Sequence, residues 1–192
     1  MALHPAEGRG YRELHFAGKA TVRQLTGIAP AYEGSSAEAA LDDAAAAVTE
    51  MLAELRPITA RHDLYSQFAA EGIGAGAGFV RSGRDRFLER NQALRFAADD
   101  LGHLVGLVAY LGVVSEGRGN HDLAGFCDAW EPRLRSQLEG VRTATRELGA
   151  DPDLAVHPLD GSLVGRAAHG VGWVAGTIGE WTDRQLGRRR GA

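Results

Sequence analysis

The side chains with the clearest chemical potential are Asp99, Asp100 and His103, two carboxylates standing four and three residues before an imidazole. On a helix all three share one face, and Tyr110, seven residues after His103, continues it. Carboxylates beside a histidine can ligate a divalent metal, hold the imidazole as a general base, or raise its pKa toward neutrality as a switch. Asp99, Asp100, His103 and Tyr110 are therefore the candidate catalytic group. The structural alternative is a satisfied polar pair where a helix leaves the core.

Two His-Asp doublets, His62-Asp63 and His121-Asp122, offer further ligands, and His62, Asp63, Asp100 and His103 form the candidate set for a divalent metal. The motif is incomplete. A dinuclear carboxylate centre in a helical bundle takes a glutamate from each of two helices and a Glu-x-x-His from each of two others, whereas this chain has only the aspartate analogue Asp100-x-x-His103. His121-Asp122 falls at a helix start, where aspartate is favoured without any ligand. Cys127, near Trp130 on one seam, reads as a buried structural thiol, since no basic group within a turn would favour its thiolate. His169 reads as a surface or interface histidine. Trp130 and Trp181 read as core, while Trp173 departs from the inward stripe of its helix and is expected at an interface or pocket rim. The run from Gly72 to Gly78 places glycine at every second position and could cradle a phosphate. No strand precedes it and no Gly-Lys-Ser/Thr follows, so it reads as a connector.

The elements expected to position these residues are helices: an all-α antiparallel bundle of four long helices with an irregular N-terminal arm. Glycine and proline punctuate residues 1–34, which gives the arm, with at most a short helix or a hairpin near Ala17. Ser35 and Glu38 have capping-box spacing and open the first helix, which Pro57 breaks before a second segment from Ile58 to Glu71. The hub is Leu101 to Val114, the longest nearly unbroken apolar run, in a helix from near Ser82 to about Ser115. Apolar residues on all sides predict that neighbours cover it on every face. A helix from His121 to Leu148 follows, with a near-heptad seam through Leu123, Cys127, Trp130, Leu134, Leu138 and Val141. Pro132 is expected to bend or restart it. The last helix, Ser162 to Leu186, contains five glycines, and each costs roughly 0.8 to 1 kcal/mol relative to alanine. Small-xxx-small spacing at Gly102 and Gly106 and at Gly172 and Gly176 predicts that the hub and this last helix touch. The bundle domain thus covers 35–187, and 188–192 is a short basic tail.

Bulk composition bounds the function classes. With 192 residues, 44% of them hydrophobic, the chain suits one domain with a sizeable core. A net charge of −4 gives no global attraction to nucleic acid or acidic lipid. Lys19 is the sole lysine among abundant arginine, alanine and glycine, the usage of a GC-rich bacterial genome. One cysteine excludes an internal disulfide and fits a reducing cytosol. No apolar run follows the N-terminus, and the fourteen-residue hub falls short of the roughly 18 residues of a membrane helix, so a cytoplasmic protein without membrane or nucleic-acid partners is expected. Two function classes remain: a helical interaction module that forms homo-oligomers or binds a protein partner, and a small helical enzyme or ligand-binding protein with its pocket around Asp99, Asp100 and His103.

Overall fold

The computed structural model describes residues 3–62 and 88–159. They form four long helices, α1 (Pro5–Ile28), α2 (Ser36–Ala60), α3 (Arg90–Gly117) and α4 (His121–Leu148), and a single turn, α5 (Pro152–Ala155). Among the described residues there is no strand, only an isolated bridge between Glu89 and Pro158. Asp63, the run from Gly72 to Gly78, the last expected helix and the basic tail lie outside the described residues.

α1 corrects the expectation of an irregular arm. His4 and Glu7 start it: Ala6 N donates to His4 Nδ1 at 3.2 Å, His4 N donates to the Glu7 carboxylate at 2.9 Å, and Pro5 occupies the first turn. Tyr11, Leu14, Gly18, Thr21, Leu25 and Ile28 then recur at alternating spacings of three and four and are all buried. Two of the glycines that look like punctuation are contact positions. A Cβ on Gly10 would stand 2.6 Å from Leu111 Cδ2, and one on Gly18 would stand 3.0 Å from Leu52 Cδ2, so their absent side chains let the neighbouring leucines close in.

α2 is capped as its sequence predicts, Ser35 Oγ accepting from Glu38 N at 3.4 Å. It is not broken at Pro57. The helix carries the exposed proline and ends three residues later at Ala60, its last turn supported by Thr59 Oγ1 donating to Leu55 O at 3.0 Å. α3 begins at Arg90 instead of near Ser82, because the backbone just before it is already engaged: Leu159 N donates to Leu88 O at 2.8 Å and Arg90 N to His157 O at 3.0 Å. α4 runs through Pro132 without interruption, and its seam is buried from Leu123 to Val141.

The packing pairs are α1 with α2, α1 with α3, α2 with α4 and α3 with α4. All four are antiparallel. Tyr11 meets Ser115 while Glu13 meets His103, Ser36 meets Glu147 while Glu54 meets Trp130, and Gly102 approaches Leu138 while Gly112 approaches Cys127. The diagonal helices α2 and α3 consequently run the same way. α2 ends where Arg61 pairs with Asp122 at 3.0 Å, and α3 begins where Tyr32 Oη donates to Arg90 O at 2.6 Å, which are opposite ends of the bundle.

A candidate interaction face on helix α3

With α1 on one side, α4 on another and α2 across the core, α3 stands at a corner and keeps one face outward. Leu94, Leu101, Leu104, Val108 and Leu111 are fully buried, so the hub is the core helix the sequence predicts. Among the described residues, however, the cover expected on every face is incomplete. Phe96, Asp99, His103, Gly106, Tyr110 and Val113 follow spacings of three and four along the outward side, with Phe96 43%, Tyr110 51% and Val113 72% exposed.

Three of the four candidate catalytic residues, Asp99, His103 and Tyr110, are on this convex stripe, and Asp100 is half-buried beside it. The nearest carboxylate to the imidazole comes from elsewhere. His103 Nε2 is 3.3 Å from Glu13 Oε1 of α1, with both side chains more than half exposed. Glu13 escapes a sequence reading that treats its segment as an arm. His62 is half-buried at the far end of α2, beside the Arg61–Asp122 pair. His103 is fourteen residues from the end of α3 that lies there, so roughly 20 Å separates it from His62 along the bundle axis. His121 is exposed at the start of α4. Among the described residues no three or more His, Cys, Asp or Glu side chains gather in a metal-holding group.

The buried polar groups tie helices together. Glu7 is 0% exposed, and its carboxylate accepts from His4 N at 2.9 Å and from Asn120 Nδ2. Asn120 opens α4 as predicted, yet spends its side chain on α1 instead of capping its own helix. Tyr11 Oη shares a hydrogen bond with Ser115 Oγ at 2.9 Å and touches Cys127 Sγ at 3.5 Å. Burial pushes the Cys127 thiol up to about 11 and raises the Tyr11 phenol beyond its ordinary range, so both stay protonated at neutral pH. Cys127 is a structural thiol. Trp130 is fully buried, its Nε1 donates to Glu54 Oε2 at 2.7 Å, and Arg133 lies 3.7 Å over its ring. Arg133 in turn pairs with Glu50 at 2.7 Å, beside a polar groove of about 350 Å³ between α2 and α4 that also reaches Asp43, Ser136 and Gln137.

The outward side of α4 is different in kind. Arg135 pairs with Glu131, Arg146 pairs with Glu139 at 2.6 Å, and Arg142 approaches Glu139 at 4.0 Å. The Arg146 hydrogen bond holds the Glu139 carboxyl below its usual range. No protein-family model, no curated protein and no solved structure matches this chain.

Proposed function

We propose that the chain is a cytosolic helical-bundle module that works by self-association, with the outward face of α3 as its docking surface and a second copy of the chain as the occupant. The observation that carries this reading is the exposure of Phe96, Tyr110 and Val113 on one face of a long, apolar core helix. Inside the bundle, by contrast, Glu7, Tyr11 and Cys127 are engaged in holding α1 to α3 and α4. Burying a large apolar side chain is worth roughly 1.5 to 3 kcal/mol, so three such residues supply a useful gross driving force. A single helix crossing falls at the small end of protein interfaces, below about 1,200 Å² in total, which implies micromolar association.

α3 is long and apolar enough to cross a membrane by length and composition alone. Twelve of its residues are buried against neighbouring helices, which supports the core-helix reading. The acidic balance of −4 argues against nucleic acid or acidic lipid as partners, and the buried single cysteine suits a reducing compartment. Sedimentation of the full chain between about 1 and 200 µM tests the proposal, because a micromolar dimer crosses from monomer to dimer within that window. A constant monomer mass would sink it. The His103–Glu13 pair is the one observation that favours a ligand or metal site. Native mass spectrometry showing a stoichiometric metal that His103→Ala removes would shift the reading there.

A further inference from the structure

A second surface differs from the rest of the molecule in charge. Between Arg9 and Arg23, α1 carries four cations, Arg9, Arg12, Lys19 and Arg23, against one carboxylate, Glu13, which is engaged with His103 of α3. Spacings of three, seven and four put the cations on one outward line, and the exposed Arg56 of α2 joins them from the side. Gly18 packs against Leu52, so Arg56, one turn further along antiparallel α2, comes level with His15. Burial first, and then the charges of Lys19 and Arg56, lower the His15 pKa, which places both cations around one imidazole. We infer that this basic face of α1 docks an acidic segment of another protein, about 20 Å long.

Charge without a counterpart is what calls for a partner. All four arginines of α4 stand within ion-pair distance of a glutamate. Among the described residues no carboxylate comes within that distance of Arg9, Lys19, Arg23 or Arg56. The remainder of the sequence holds no surplus acid to supply it: residues 63–87 have three acids against three arginines, and residues 160–192 have three against five. A second copy is a poor source as well, because its Glu50, Glu54, Glu131 and Glu139 are engaged with its own arginines. Like charges one turn apart weaken a helix, as Lys19 and Arg23 do here, and a docked carboxylate turns that repulsion into attraction.

Length and net charge decide the class of partner. The line from Arg9 to Arg23 is about 21 Å long on a chain that is −4 overall. A nucleic acid would run past both ends onto an acidic remainder. A bilayer takes up side chains that insert, and among the described residues none of the large exposed apolar side chains is on α1 or α2. A short acidic segment meets only the cations, since screening confines each charge to about 8 Å at physiological salt.

Fluorescence anisotropy of the full chain tests this with a labelled helical peptide of about 18 residues, roughly five turns, that carries glutamate at alternating spacings of three and four. Its glutamine counterpart is the blank. Binding of the glutamate peptide is expected at about 10 to 100 µM in low salt, weakening about tenfold or more at physiological salt. Arg9→Gln with Lys19→Gln and Arg23→Gln, all exposed positions, is expected to weaken it about tenfold or more with helicity unchanged by circular dichroism. Arg135→Gln with Arg142→Gln and Arg146→Gln removes the same charge from α4 and is expected to change binding less than about twofold. Equal weakening by the two sets would mean that net charge, not a face, attracts the peptide, and would overturn the inference. So would a peptide that fails to bind below about 1 mM in low salt. A single-stranded DNA or a phosphatidylserine vesicle that binds more tightly than the peptide, and loses its grip in the α1 variant, would assign the face to another class of polyanion and overturn it too.

Discussion

α3 and α4 lie side by side and antiparallel, each with a buried inner face, yet their outer faces follow opposite rules. Along α4 the outward positions are Asp128, Glu131, Arg135, Glu139, Arg142 and Arg146, several of them paired, so water meets charge at each turn. Along α3 the equivalent line holds Phe96, Gly106, Tyr110 and Val113, with a carboxylate at Asp99 and an imidazole at His103. Both helices anchor the same core; the outward side of α3 leaves three large apolar or aromatic side chains exposed where α4 presents charge. The contrast shows that amphipathicity separates the inside of a protomer from its outside without saying whether that outside is the final boundary.

If the two helices differ only on the outside, inward substitutions should be costly in either. Trp130→Ala, which removes a fully buried ring together with its bond to Glu54, is expected to lower unfolding stability by about 3 to 5 kcal/mol in urea titrations. Giving α3 the outer face of α4 comes next. Tyr110→Glu with Val113→Arg is expected to weaken self-association about a hundredfold in sedimentation, roughly 2.7 kcal/mol, with unfolding stability changed by less than about 0.5 kcal/mol. A protein that dimerises unchanged with these substitutions removes the functional meaning of the contrast.

Within α3 the two faces can be separated by one type of substitution. Gly106→Ala should stabilise the protomer by up to about 1 kcal/mol through helix propensity, read in urea titrations at concentrations where the chain is monomeric. Gly112→Ala should destabilise it, since the new methyl group would stand 3.2 Å from Cys127 Cβ, an atom fixed to the backbone of α4. Equal signs for the two would mean that the faces do not differ in packing. Thiol chemistry gives a finer measure. Cys127, with its pKa pushed up to about 11, should react with a thiol reagent at pH 8 far more slowly than a cysteine placed at Val113 in the monomer. Because folding raises that pKa, the neutral thiol's contribution to stability should be present below pH 9 and lost as pH rises toward about 11. The smallest effect belongs to the surface of α4. Arg146→Ala should return the Glu139 carboxyl toward its usual titration range in an NMR pH series while leaving the thermal midpoint essentially unchanged, as expected of a solvent-exposed pair.

The seam of α4 was legible because its period is nearly unbroken and its large residues point one way. α1 was not legible, because Gly10, Gly18 and Thr21 occupy seam positions and Glu7 is a buried acid at a helix start. Recognising those glycines as contacts requires Leu111 and Leu52, which lie far along the chain. The candidate residues show a similar limit. Spacing placed Asp99, His103 and Tyr110 correctly on one face of a helix, but the direction of that face depends on where α1 and α4 pack. Glu13, the carboxylate nearest His103, becomes visible only once α1 is known to be a helix.

The buried Glu7–Asn120 and Tyr11–Ser115 bonds join residues 113 and 104 positions apart. At a translation rate of about 5 to 20 residues per second, Glu7 and Tyr11 are synthesised roughly 5 to 20 seconds before these partners. Among the described helices, α2 is the one made in that interval against which Tyr11, Leu14 and Leu25 can shelter. α1 is therefore made well before the partners that secure it, and in that interval its apolar seam is open to chaperones and proteases.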